Sequence, residues 1–352
     1  MKKVLVFRIG LLGDTIVSLP AFKAIRENFP GAEITLLYNL TSGAVNPLDL
    51  LAHTDFIDKS IPYVPGSGLS GFFRLWAKLR SGKYDVAITL PPSMRGRDYL
   101  FRDELFFRSA GIRKTIGFNW LHNAERASCT GVHETDRLLS LLSSEGLTVS
   151  GEIKLASMLK VGRGDGAICE ELFRTELRNN IDGVPVAFSV GSNMPAKCWP
   201  LRSYSLLGEM LISRLGILPV IFGGPKEKQA GDALLKDWGG GINLAGRLSV
   251  IQSYYLLKKC RFYIGNDTGV MHLAALAGLK CLALFSARDV DGKWNPYGCG
   301  HVVIRKEVSC QGCMLAECLD KQNACLTAIS PDQVFDSCSS LMIDASNSID
   351  GN

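Results

Sequence analysis

Asp14 is the first residue whose type and placement could do chemistry. It is a lone carboxylate in GLLGDTIVSLPAFKAI (residues 10–25), a glycine-punctuated loop that follows the apolar run VLVF. An Asp before a helix is a good cap for unpaired backbone N–H groups; a carboxylate facing a bound hydroxyl is a general base. Ser18, with Pro20 in the next turn, offers a competing helix start that would leave Asp14 at the turn between strand and helix. The residues alone leave cap and base open. Gly10 and Gly13 permit a tight turn and close approach by a ligand. The loop is not GxGxxG and no acidic ribose partner ends the second strand, which argues against a dinucleotide site.

Two further loops carry polar groups at strand ends. In GSNMPAKCWP (191–200), Gly191 and Ser192 expose backbone and hydroxyl donors, Lys197 adds a point charge, and Trp199-Pro200 stiffens the entry to the next helix. In GNDTGVMHLAALAG (265–278), Asp267, Thr268 and Gly269 open a helix with apolar positions at Val270, Leu273, Ala274 and Leu276. Unpaired N–H groups and the positive helix end make this an anion site. Asp267 could cap the helix or grip sugar hydroxyls while the Thr268 and Gly269 amides hold phosphate. His272, in the first turn, could donate to a phosphate or simply pack.

The elements that must position these loops alternate along the whole chain. VLVF (4–7), EITLLY (33–38), DVAITL (85–90) and KTIGF (114–118) read as strands, with helical patterns at 21–29 and 72–80. The second half repeats the scheme. VPVAFSV (184–190), ILPVIFG (217–223), FYIGN (262–266) and CLALFS (281–286) alternate with helical patterns at 204–216 and 270–279. Repeated β-α units predict parallel sheets covered on both faces. The fold class is therefore α/β, two doubly wound Rossmann-like domains facing across a cleft, with a boundary near KVGRGDG (160–166). Domains of 1–160 and 161–352 follow, the terminal helical segment packing back on the first and the end, DASNSIDGN, fraying. Ligands of such sheets sit beyond the carboxyl ends of the strands, which is where all three loops fall.

Composition narrows the partners. The net charge of +5 lies entirely in residues 1–160, where 20 Lys and Arg oppose 15 Asp and Glu. Arg74 to Lys114 holds ten basic residues against four acidic ones, a cationic region that favours anionic lipid or phosphorylated ligands; a solvated helical face is the alternative. No zinc finger, basic zipper or aromatic-rich binding strand points to nucleic acid. No apolar run is long enough to span a bilayer, and the run after Lys2 and Lys3 is too short for a secretory signal, so cytoplasmic residence is expected. The eleven cysteines are then expected to be reduced. Cys310, Cys313, Cys318 and Cys325 could close a zinc site, but the spacing lacks a second CxxC, and packing of a C-terminal loop is the preferred reading. Asp289-Val290-Asp291 is a DxD in a loop after CLALFS and reads as a surface turn, so no metal is expected there.

Together the three loops resemble the glycosyltransferase family 9 heptosyltransferases of lipopolysaccharide core assembly. HETDR (133–137), LAGRLS (244–249) and the late CQGC…C…CLTAISPDQV pattern extend the similarity over nearly the whole chain. The resemblance implies a GT-B fold with an N-terminal acceptor domain and a C-terminal nucleotide-sugar domain. It also implies inverting transfer from an ADP-activated heptose to a lipid-linked, phosphorylated core acceptor, at the inner face of the cytoplasmic membrane and without metal or cofactor. Asp14 matches the family's general base, with Gly13 and Thr15 in the acceptor-side loop. Lys197 matches the phosphate-contacting lysine, Ser192 a small hydroxyl near the phosphates, and Asp267, Thr268, Gly269 and His272 the motif that holds sugar and pyrophosphate. Glu227, in GGPKEKQA, is similar to the acidic residue at the nucleotide ribose. The alternatives are a GT-B transferase with another nucleotide sugar for surface polysaccharide, a nucleotide-sugar epimerase, and a catalytically silent nucleotide-sugar binder.

Overall fold

The computed structural model describes residues 1–41, 45–93, 95–119, 131–149, 153, 155–178, 180 and 182–346, the side chains of 343–346 excepted. From residue 347 on, the expected frayed end lies outside the described residues. The chain divides into two compact units, Met1–Lys160 and Val161–Asn352.

The first unit is built on a five-stranded sheet of β1 (Lys3–Arg8), β2 (Glu33–Asn39), β3 (Lys59–Tyr63), β4 (Val86–Leu90) and β5 (Lys114–Ile116). All neighbours are parallel, in the order β3-β2-β1-β4-β5. Val6 of the central strand lies opposite Leu36 and Ile88. Such strands are continuously apolar because helices cover both faces; Val4, Leu5 and Val6 are fully buried. The helices are α1 (Leu12–Val17), α2 (Leu19–Asn28), α3 (Leu48–Leu51), α4 (Gly68–Gly82), α5 (Arg97–Ser109) and α6 (Glu134–Ser144). One core layer joins Leu5, Phe7 and Leu37 of the sheet to Leu79 of α4 and Phe107 of α5.

The second unit holds β6 (Val184–Ser189), β7 (Ile217–Ile221), β8 (Ile242–Asn243), β9 (Tyr263–Asn266), β10 (Cys281–Phe285) and β11 (Val302–Arg305). They form a parallel sheet in the order β11-β10-β9-β6-β7-β8. Its helices are α7 (Arg163–Arg178), α8 (Leu201–Leu215), α9 (Lys228–Trp238), α10 (Val250–Leu257), α11 (Gly269–Leu276), α12 (Ala324–Thr327) and α13 (Pro331–Ser346). The boundary segment read from KVGRGDG runs directly into α7. The terminal helix α13 buries Val334, Cys338 and Leu341 in the core of its own unit, with Leu207 and Leu211 of α8.

Three strands were not anticipated: β3, β8 and β11. Each ends its sheet and so carries a weak apolar signal. KSIPY is half-exposed and contains Pro62, β8 is two residues long, and VVIR is half-buried. Proline is tolerated in a strand that need not donate on its outer side.

Both sheets reverse their order at one point, between β1 and β4 in the first and between β6 and β9 in the second. The strands on either side of such a point send their following helices to opposite faces, so a crevice opens beyond their carboxyl ends. Asp14 follows β1, Lys197 follows β6 and Asp267 follows β9.

Candidate active site

In the first unit, Asp14 is not the cap of a helix. It is the third residue of α1, a six-residue helix, and its side chain reaches back to accept the Leu11 N–H at Oδ2 over 2.9 Å. It therefore satisfies one unpaired amide of the first turn without being the cap residue. A quarter of the side chain is exposed, so lone pairs remain open to solvent. Gly10 makes this possible. It takes φ 153°, and a Cβ there would fall 2.3 Å from Asp14 Cβ. Regular helix resumes at α2, with Pro20 in its first turn as the sequence indicated.

Arg8, at the carboxyl end of β1, holds the loop from below. Its Nη1 donates to Leu90 O at 2.8 Å, its Nη2 donates to Asp14 O at 2.9 Å, and Nη2 lies 3.5 Å from Asp14 Oδ1. Burial pulls this guanidinium below its ordinary value, and the nearby Asp14 and Glu134 carboxylates pull it back; arginine stays charged regardless. HETDR supplies the next layer. Glu134 and Arg137 form a fully buried bidentate pair at 2.7 and 2.8 Å, and Arg137 Nη2 also donates to Pro91 O at 2.6 Å. Thr135 Oγ1 donates to Val17 O at the end of α1. These bonds fasten α6 to the ends of β4 and α1 and fix the loop that carries Asp14. Thr15, expected in the acceptor-side loop, is buried and its hydroxyl donates to Leu11 O; Gly13 lies half-buried within α1.

In the second unit the switch point brings the two distant loops together. Lys197 Nζ lies 2.6 Å from Asp267 Oδ2, with 15% and 9% of the side chains exposed. The cap question resolves in favour of Thr268, whose hydroxyl accepts the Met271 N–H. Asp267 is thereby left out of the capping and faces Lys197. Burial pushes the Asp267 carboxyl above its usual value, Lys197 opposes this, and Asp289 adds to the upward push. His272 is buried, with Nε2 3.9 Å from Asp267 Oδ1. The first amides of α11, at Gly269 and Val270, are among the N–H groups that helix geometry leaves without intrahelical partners.

A buried hydrogen-bond network welds these loops. Asn266 Oδ1 accepts from Trp199 N–H at 3.0 Å and from Tyr204 Oη at 3.1 Å, and Asn266 Nδ2 donates to Gly191 O at 3.4 Å. Ser189 Oγ bonds Tyr263 Oη at 2.7 Å and Thr268 Oγ1 at 3.2 Å. Ser192 stands at the start of the first loop, where its Oγ accepts the Met194 N–H. Glu227 immediately precedes α9 and accepts the Gly224 N–H at 2.8 Å. Its side chain crosses Gly191 so closely that a Cβ there would sit 2.4 Å from Glu227 Cγ. Ser192, Lys197, Glu227, Asp267, Thr268, Gly269 and His272 thus share one end of one sheet.

The loop after β10 corrects an expectation. Asp289-Val290-Asp291 is not a surface turn throughout. Asp291 is exposed, but Asp289 is largely covered, accepts Trp294 Nε1–H at 3.0 Å and lies 3.5 Å from the buried Lys293 Nζ. Trp294 packs edge-on to His272 at 6.3 Å between ring centroids. Arg288, also buried, donates to the carbonyls of Leu315 and Met314. Arg288, Asp289, Lys293 and Trp294 therefore border the Asp267 site, and sequence reasoning missed them. The available signal was the Asp-x₃-Lys-Trp spacing directly after a buried strand. Cys310, Cys313, Cys318 and Cys325 are free, and Cys313 is exposed rather than packed. Among the described residues no three His, Cys, Asp or Glu side chains converge as metal ligands would.

Two Rossmann-like units, each with polar loops at its switch point, make the GT-B fold. The chain belongs to glycosyltransferase family 9 (heptosyltransferase), whose family model matches residues 72–324. It is 25% identical over 303 residues to lipopolysaccharide heptosyltransferase 2 of Salmonella typhimurium, covering 82% of this chain and 84% of that one. It is 26% identical over 311 residues to lipopolysaccharide heptosyltransferase 2 of Escherichia coli K12, with the same coverage. The solved structure of the E. coli ADP-heptose lipopolysaccharide heptosyltransferase II superposes with TM-score 0.71 at 22% identity, over 98% of this chain and 99% of that one. The protein is a glycosyltransferase. Among its described residues no helix is long and apolar enough to cross a membrane.

Proposed function

We propose that this glycosyltransferase moves a heptose from an ADP-activated donor to a hydroxyl of a lipid-linked, phosphorylated lipopolysaccharide core acceptor, with inversion at the anomeric carbon. The observation that carries the reading is the Lys197–Asp267 pair beside the start of α11. It sets a largely covered cation against a buried carboxylate next to the first amides of the helix. The donor diphosphate takes the Lys197 ammonium and the Gly269 and Val270 N–H groups, while Asp267 accepts from sugar hydroxyls. Ser192 adds a hydroxyl to the phosphates, His272 a ring N–H, and Glu227 accepts from the nucleotide ribose.

The acceptor oxygen attacks the anomeric carbon on the face opposite the nucleotide. Its proton passes to the Asp14 carboxylate as the new C–O bond forms. The bond from the anomeric carbon to the β-phosphate oxygen breaks, and its electron pair leaves with ADP. Lys197 and the helix start stabilise the charge that develops there. Arg8 and the Glu134–Arg137 layer keep Asp14 in place. The work is proposed to take place at the inner face of the cytoplasmic membrane, where such an acceptor is carried by lipid.

The test is a panel of nucleotide sugars followed by thermal unfolding. A ligand that binds only the folded chain raises its apparent stability. ADP-heptose should raise the midpoint most, ADP less and UDP-sugars least, and this order should be lost in Lys197→Ala. Stabilisation by a UDP-sugar alone would overturn the donor assignment. Transfer is expected to continue in EDTA.

A further inference from the structure

Helices α4 and α8 are both fifteen residues long, yet they are buried very differently. α8 buries Tyr204, Leu207, Gly208 and Leu211, whereas α4 buries only Leu79. Leu69, Phe72 and Phe73 of α4 fall at helical spacing on one stripe and are exposed, Leu69 by 77%. On α5, Tyr99, Phe101 and Leu105 are each more than half exposed. The two helices lie side by side. Phe72 and Phe106 rings meet in a tilted arrangement with centroids 4.9 Å apart, and Trp76 Nε1 donates to Ser109 Oγ at 3.1 Å. The exposed apolar residues of the two helices therefore lie on neighbouring elements.

Positive charge surrounds these residues. Arg80 stacks on Trp76, and Arg95 and Arg102 lie over the Tyr99 ring at 4.9 and 5.0 Å. Two of the three acidic side chains of α5 are neutralised locally, Asp103 by Arg102 and Arg95, and Glu104 by Arg108, while Asp98 in its first turn is exposed. Arg74 and Lys78 make no ion pair among the described residues and stay exposed. An exposed aromatic and leucine patch set in excess basic residues is the chemistry of an interfacial lipid contact. The apolar groups enter the acyl boundary while the cations meet anionic headgroups.

We propose that the α4–α5 face is an insertion surface for an anionic lipid bilayer, with Leu69, Phe72, Phe73, Phe101 and Leu105 entering the membrane and Arg74 and Lys78 holding its headgroups. The purpose of such a contact rests on the lipid-linked acceptor proposed above, but the surface itself is argued from exposure and charge. It goes beyond long-range attraction, because it assigns binding that survives salt screening.

The full chain is sedimented with vesicles of phosphatidylethanolamine alone or with phosphatidylglycerol added. The wild-type chain should pellet with the phosphatidylglycerol vesicles and stay in the supernatant with the neutral ones. Raising the salt should weaken the pelleting without abolishing it. Phe73→Ser and Phe101→Ser should each weaken binding about tenfold, and Arg74→Glu about fivefold at low salt. Thermal unfolding and transfer to a delipidated, water-soluble acceptor should stay unchanged in all three variants. Loss of transfer to the soluble acceptor in the wild-type chain would instead count against the proposed function, independently of the vesicle result. The membrane proposal is overturned if the serine variants pellet like wild type. It is equally overturned if light scattering shows a wild-type dimer that Phe73→Ser dissociates, since the face would then be covered by a second copy.

Discussion

Each switch point presents one carboxylate, and the two sit in opposite circumstances. Asp14 is a quarter exposed, with one oxygen on the Leu11 amide and a guanidinium 3.5 Å from the other. Asp267 is 9% exposed, driven upward by burial and held at 2.6 Å by Lys197. A carboxylate that keeps open lone pairs is suited to receiving a proton. One that is buried against a cation is suited to holding a ligand, because its charge is already compensated and its geometry fixed. The same strand-loop-helix arrangement thus yields two chemistries, according to how deeply the side chain lies and what faces it.

The largest effect on stability is expected where the scaffold under Asp14 is broken. Glu134→Gln leaves Arg137 charged and buried, which should cost about 3–5 kcal/mol of unfolding free energy. A urea titration would read this, and replacing both residues by apolar ones should recover part of the loss. A midpoint equal to wild type would mean that the pair does not support the first unit.

Lys197→Met does the corresponding damage in the second unit, with a different dependence on pH. Because burial raises the Asp267 pKa, its ionised form disfavours the folded state at pH above that pKa, and protonation relieves the penalty as pH falls through it. Without Lys197 the penalty should be about 3 kcal/mol near neutral pH. It should shrink as pH approaches the unfolded-state value of about 3.9. Chemical denaturation at several pH values would show this. A difference from wild type that is independent of pH would contradict the pairing.

Gly10→Ala sharpens the comparison without touching either charge. The new Cβ must push Asp14 aside, so turnover should fall at least about tenfold through lost positioning. ADP affinity should be unchanged, and isothermal titration beside a transfer assay separates the two. Equal loss in both would show that the first unit's loop also shapes the nucleotide site.

Much of this was legible in the residues, and what was not has physical causes. Buried central strands such as VLVF and CLALF announce themselves because helices cover both faces. Edge strands such as KSIPY are half-solvated and do not. Lys197 and Asp267 could be singled out by type, but their contact comes from sheet order, which brings the ends of β6 and β9 together. Asp14 was posed as either cap or base, whereas a short helix with a glycine before it lets the side chain satisfy one amide and remain accessible. Asp289 looked like a surface turn because the burial of Lys293 and Trp294 beside it depends on how the loop folds over α11.

The central claim is tested most directly by Asp14→Asn, which keeps the size of the side chain and removes its basicity. With an ADP-heptose donor and a core acceptor, turnover should fall about 10²–10⁴-fold, while the Kd for ADP and the unfolding midpoint stay at wild-type values. Turnover close to wild type in that variant would contradict the assignment of Asp14 as the group that receives the acceptor's proton.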